Sequence, residues 1–132
     1  MSDVKGLDEV LRKFRALPER IQKNVVVGAV RAGAKPIIKE AKARAPKGAT
    51  GELAKSIGLV RRKEKDRSII RFSITPRIKK PHGFLGHFKE FGTSKEPAHP
   101  FMRPAMDAKA DETIRSATDY MAKRTEKEIK KL

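Results

Sequence analysis

The chain has 132 residues, of which 32 are Lys or Arg and 16 are Asp or Glu, for a net charge of +16. That length suits one domain, residues 1–132, with a modest core. There is no cysteine, which excludes a disulfide framework, a Cys-ligated metal and thiol catalysis, and no apolar run approaches the roughly 20 residues of a membrane span.

Such a surplus of positive charge favours a nucleic acid or an acidic protein as partner. The charge is uneven: residues 55–89 hold 11 basic and 2 acidic side chains, whereas residues 103–132 hold 8 and 6. The basic centre is therefore the middle of the chain rather than its lysine-rich end. The opening stretch Met1-Ser2-Asp3-Val4-Lys5-Gly6 lacks the apolar core of a signal peptide, so a soluble protein, cytosolic where it is made, is expected.

The first predicted helix covers residues 7–17, where Leu7, Val10, Leu11, Phe14 and Leu17 recur at the spacing of one helix face. Asp8 and Glu9 lie early and Arg12, Lys13 and Arg15 late, as the helix dipole prefers. A second helix is predicted from about Pro18 to Arg44. Its centre, Val25 to Ala34, is apolar nearly all round, which requires cover on more than one side. In a short chain the second cover is expected from another subunit, approaching over the small residues Gly28, Ala29, Ala32 and Gly33. Pro36 removes a backbone bond and predicts a kink.

Ala45-Pro46-Lys47-Gly48-Ala49-Thr50-Gly51 breaks the helix, and Thr50 could cap a short helical turn over Glu52 to Lys55. Strands follow. Ile57, Leu59 and Val60 mark the first, Glu64-Lys65-Asp66-Arg67 a polar hairpin turn, and Ile70, Phe72 and Ile74 the inner face of the second. Residues 76–83 form a basic loop. Residues 84–91 carry Phe84, Phe88 and Phe91 at helical spacing, but the flanking glycines and the preceding strands favour a third strand. Pro97, Pro100 and Pro104 then make residues 96–103 a stiff, extended arm that carries Phe101 and Met102 as apolar plugs. Pro104 suits the first turn of a last helix, which runs to about Lys131 with Met106, Ala110, Ile114, Ala117 and Met121 on one face, broken at Thr125. This order predicts an α+β fold: a small antiparallel sheet of about three or more strands packed against long helices, with a C-terminal helix.

Catalytic chemistry finds little purchase. His82, His87, His99 and Glu90 are the candidates for a metal or acid–base site, but no HExxH, GxSxG, P-loop or GxGxxG pattern occurs. His87 and Glu90 would meet only on a helix. Surface or interface histidines, and a Glu90 paired with a nearby cation, are the expected outcome. Thr93 and Ser94 close a turn. The cations Arg61, Arg62, Lys63, Lys65, Arg67, Arg71, Arg77, Lys79 and Lys80 could grip phosphates or an acidic protein surface, without the interleaved aromatics of a sequence-reading single-strand binder. Lys123-Arg124 and Lys130-Lys131 read as a solvated helix end.

Glu90-Phe91-Gly92-Thr93, followed by Pro97-Ala98-His99-Pro100-Phe101-Met102-Arg103-Pro104-Ala105, resembles the signature of a tailed-phage family, the gene-product-ten tail-component family of HK-type lambdoid phages. Upstream, Ala45-Pro46, Thr50-Gly51-Glu52-Leu53 and Ser56-Ile57 are similar to a second stretch of that family, and Gly6-Leu7-Asp8-Glu9-Val10-Leu11 to its start. The resemblance covers nearly the whole chain; the strong positive charge, Gly86 and His87 depart from it. It implies a structural protein of the virion and no enzyme, made in the bacterial host cytoplasm, with no cofactor, small-molecule substrate or membrane. Its place would be the head–tail neck or a tail-completion ring around the DNA channel. The implied partners are copies of itself in a homo-oligomeric ring of six- or twelve-fold relation, other neck and tail proteins, and genomic DNA through non-specific contact. On that view Phe91, Gly92, Thr93, Pro97, Pro100, Phe101, Met102, Arg103 and Pro104 form an arm that docks into a neighbour, Gly28, Ala29, Ala32 and Gly33 pack subunits together, and the basic hairpin faces DNA or an acidic ring. A non-specific basic nucleic-acid-binding protein is the alternative. A basic hydrolase would need an acid–base pair, for which only His87 and Glu90 are present.

Overall fold

The computed structural model of the chain describes residues 2–46, 52–77, 90–92, 94, 97–98 and 100–132. Helix α1 (Ser2–Arg15) and helix α2 (Glu19–Arg44) are followed by a short helix α3 (Glu52–Ser56), strands β1 (Ile57–Arg62) and β2 (Arg71–Pro76), and the long helix α4 (Met102–Lys130). This is the α+β layout that the residue pattern indicates. Helix α1 begins upstream of its apolar face, and α2 runs on through Pro36 to Arg44. Among the described residues the sheet has two antiparallel strands rather than three. Most of the expected third strand, residues 84–91, lies outside the described residues, and its last two, Glu90 and Phe91, are helical. Thr50 lies outside them too.

The chain divides into two compact units, Met1–Gly33 with Glu112–Leu132, and Ala34–Asp111. In the first, Leu17, Val25 and Ala29 are buried. The turn between α1 and α2 closes through Ala16 and Leu17, whose N–H groups donate to Lys13 and Phe14 carbonyls at 3.2 and 3.0 Å. The Gln22 side-chain amide also donates to the carbonyls of Phe14, Arg15 and Leu17 at 3.0–3.3 Å, adding a donor where a helix end runs short of them. Lys13 of α1 pairs with Glu126 of α4, which raises the lysine's pKa through that hydrogen bond and lowers the glutamate's. Thr125, where the apolar pattern of α4 breaks, is 1% exposed and so lies on the buried side.

Helix α4 lies against the small-residue face of α2. A Cβ on Gly28 would overlap the tip of the Tyr120 ring, and one on Gly33 would stand 3.1 Å from Thr113 Cγ2 and 3.3 Å from Ala117 Cβ. The close approach expected from another subunit is therefore made by the chain's own helix. Tyr120 is held there in turn by Arg124, whose Nη1 donates to its hydroxyl at 3.2 Å.

The second unit has a core of Ile37 and Ala41 from α2, Ala45 just past its end, Leu53 from α3, Ile57 from β1, and Phe101 with Ala105 at the start of α4. The first three recur every four residues and so share one helix face. Ile38, Ala54, Ile74 and Met102 pack around this cluster. Ser56 is buried among these apolar groups without cost, because its Oγ donates to the Leu53 carbonyl at 2.6 Å and its own carbonyl accepts from Arg77 N–H at 3.0 Å. In the hairpin, Ile57 faces Pro76, Leu59 faces Ile74 and Arg61 faces Phe72 on one side, while Val60 faces Ser73 and Arg62 faces Arg71 on the other.

Candidate functional site

Glu90 is the centre of the second unit's polar structure. Its Oε2 accepts hydrogen bonds from the backbone N–H groups of Phe101 at 2.6 Å and Met102 at 3.0 Å, and its Oε1 from that of Arg103 at 3.0 Å. A helix start leaves its first N–H groups without intrahelical partners. Here the next residue, Pro104, has no N–H, and Ala105 N–H already donates to the Phe101 carbonyl at 3.3 Å. One carboxylate thus satisfies every free donor at the start of α4. Partial burial pushes the Glu90 carboxyl pKa up. The three backbone donors and the nearby Arg103 charge outweigh that and hold it below the usual carboxylate value. Among the described residues, Glu90 makes this cap in place of the expected ion pair with a Lys or Arg, and Arg103 adds its field.

Gly92 ends the Glu90–Phe91 helical segment at φ 77°, a left-handed conformation that glycine adopts without steric cost. The sequence Glu90-Phe91-Gly92 is therefore legible as chemistry: a capping carboxylate, an outward aromatic and a reversing glycine.

The expected docking arm separates into different environments. Phe101 is 0% exposed and sits in its own unit's core, and Met102 is half-buried against the same cluster. Phe101 offers no plug to a neighbour, because its apolar surface is spent within the chain, whereas Met102 keeps part of its surface outward. Pro97, Pro100 and Arg103 are exposed, Pro104 and Gly92 are half-buried, and Phe91 is 71% exposed. Thr93 lies outside the described residues. Of the small-residue stripe, Ala29 is buried, Ala32 is half-buried, and Gly28 and Gly33 are covered by α4 as described.

The basic residues do gather. The hairpin from Arg61 to Arg71 carries six cations, and Arg61, Arg62, Lys63, Lys65, Arg67 and Arg71 are all exposed. Like charges directly opposite destabilise a strand pair, and Arg62 faces Arg71. Two contacts relieve this: Arg71 pairs with Glu64, and Arg62 Nε donates to Ser73 Oγ at 3.1 Å. Asp66 is used inside the turn, where its Oδ1 accepts from Ser68 N–H at 2.9 Å and Ser68 Oγ at 2.7 Å. Those bonds hold its pKa below the ordinary value. Arg61 lies 5.9 Å from the centre of the Phe72 ring, a cation–π distance. Both acidic groups of the hairpin are thus engaged internally, and the outward charge is cationic. Arg77 is held at the hairpin base, its Nε 3.4 Å from the Ser56 carbonyl. Lys79 and Lys80 lie outside the described residues, as do His82, His87 and His99. Among the described residues no cluster of His, Asp and Glu could hold a metal ion, and no helix is long and apolar enough to cross a membrane.

A family model described as "Bacteriophage HK97-gp10, putative tail-component" matches residues 8–92 of the chain. No curated protein and no solved structure matches it.

Proposed function

The chain belongs to the HK97-gp10-like family, and from that membership we propose that it is a structural subunit of the head–tail neck or tail-completion ring of a tailed phage or prophage. Family membership supports a structural role in the virion and contact with other phage tail proteins. The finer reading is that copies form a ring around the DNA channel and that the hairpin presents its cations to the DNA or to an acidic face of an adjoining ring.

The observation that carries the finer reading is the disposition of charge on the hairpin. Glu64 and Asp66 are engaged within it, so the exposed Lys63, Lys65 and Arg67 present an uncompensated field to a polyanion. The same observation favours the alternative, a non-specific nucleic-acid-binding protein. Assembly separates the two. Native mass spectrometry and electron micrographs of the purified chain are expected to show closed rings, and tails completed without the protein are expected to fail in joining heads. A chain that stays monomeric while binding duplex DNA tightly would establish the alternative instead.

A further inference from the structure

Helix α4 carries two exposed patches of opposite charge. Near its start, Met106 is 53% exposed, and Asp107, Ala110 and Asp111 are exposed beside it. At 100° per residue these four share one side of the helix. Neither aspartate has an ion pair among the described residues. Arg103 lies close to this side, but its charge is opposed by Glu90. Near the other end, a shallow, open concavity on the helix surface is lined by Ala122, Lys123, Glu126, Lys127 and Lys130. Glu126 is neutralised by Lys13, which leaves three lysines around a floor made of Ala122 and lysine stems.

We infer that copies of this chain associate head to tail, the Met106–Asp107–Ala110–Asp111 patch of one seated in the Ala122–Lys123–Lys127–Lys130 concavity of the next. Charge complementarity selects the occupant. Asp107 and Asp111 stand four residues apart, as do Lys123 and Lys127, so each pair spans about 6 Å of helix axis and both ion pairs can form at once. The apolar members match in the same way, Met106 covering the floor that the lysine stems leave open. A duplex would meet the lysine tips but would leave this floor unfilled. Two different patches on one chain make a heterologous contact, which closes into a ring or extends as a filament. The inference rests on the ring reading above and supplies its interface.

Charge exchange tests it. Lys123→Glu with Lys127→Glu makes both patches acidic, and Asp107→Lys with Asp111→Lys makes both basic. Each double variant, with thermal unfolding checked against the wild type, is expected to weaken self-association about tenfold or more in analytical ultracentrifugation, since like charges brought together across an interface are strongly disfavoured. An equimolar mixture of the two is expected to assemble again, because each variant's groove then suits the other's patch. If the wild type forms rings and both variants form them equally well, the interface lies elsewhere and the ring reading stands. If folded variants are monomeric and their mixture stays monomeric, the pairing is wrong. If the wild type itself is monomeric at high concentration, the inference and the ring reading fall together.

Discussion

The Glu90 carboxylate and the Met102 backbone N–H lie 3.0 Å apart, and through this bond and its two neighbours a residue before the proline-rich arm fixes the first turn of the helix after it. The arm between them therefore has both ends anchored on one structural unit. Loss of Glu90 releases three donors at once, two of them partly buried.

Glu90→Ala is expected to destabilise the chain by about 2 kcal/mol, the upper end of the range for helix caps, because more donors depend on this one than on an ordinary capping side chain. Glu90→Gln keeps one acceptor oxygen and is expected to lose about half as much. Urea denaturation followed by circular dichroism measures both. Equal stability of wild type and Glu90→Ala would show that the cap contributes nothing.

The same bond has a pH signature. Glu90 titrates below its ordinary value in the folded chain. Such a group contributes stability that is complete above the unfolded carboxyl value of about 4.3 and disappears as pH falls through the lower folded value. The stability difference between wild type and Glu90→Gln is thus expected to be constant from neutral pH down to about pH 5 and to shrink below about pH 4. A difference that grew on acidification would contradict the assigned direction.

Phe101 belongs to the core, so its truncation is a stability mutation. Phe101→Ala is expected to cost about 3–5 kcal/mol by leaving a cavity among Ile37, Ala41, Leu53 and Ile57. Pro100→Ala, at an exposed neighbour, is expected to change stability by less than about 0.5 kcal/mol. Thermal melts compare the two. A Phe101→Ala chain as stable as the wild type would restore the reading of this residue as an outward plug.

Much of the architecture is written in local patterns. The apolar run from Val25 to Ala34 marks α2, and the alternation of Ile70, Phe72 and Ile74 marks the second strand. What local patterns do not carry is the partner. Gly28 and Gly33 read as a close-approach surface in either case, and only the placement of Tyr120 and Thr113 decides that the approach is within the chain. Phe101 on its proline arm is apolar, but nothing nearby in sequence says whose core it enters. Glu90 reads as an acid–base candidate or as the partner of a nearby Lys or Arg, because its three donors lie across a segment that local spacing rules do not reach. The exposed side of α4 was legible as apolar spacing at Met106 and Ala110, yet the same spacing reads as core until the exposure of those residues is known.

Gly28 tests the intrachain packing directly. In an isolated helix, Gly→Ala gains up to about 1 kcal/mol. Here the new Cβ would overlap three atoms at the tip of the Tyr120 ring, and forcing a ring aside costs about 1–3 kcal/mol. The clash is expected to win, with Gly28→Ala less stable than wild type by about 1 kcal/mol. The variant Gly28→Ala with Tyr120→Leu is expected to be more stable than Tyr120→Leu alone, since the clash is gone and the helix gain remains. If Gly28→Ala simply stabilised the chain while leaving assembly broken, the small-residue face would be a subunit contact after all.

The hairpin cations are tested by salt. Each phosphate neutralised by a cation contributes about −0.9 to the slope of log affinity against log salt on duplex DNA. Lys63, Lys65 and Arg67 are exposed, and none has an ion pair among the described residues, so replacing all three by Ser leaves Glu64, Asp66, Arg71 and the Arg61–Phe72 contact in place. The fold is expected to survive with stability within about 0.5 kcal/mol per site. Wild-type binding to a duplex of arbitrary sequence is expected to weaken steeply between 50 and 200 mM salt, and the triple variant to show a slope shallower by about 3. Fluorescence anisotropy across a salt series measures both. An unchanged slope, with tail assembly impaired by the same substitutions, would assign the hairpin to an acidic protein face and remove DNA from its contacts.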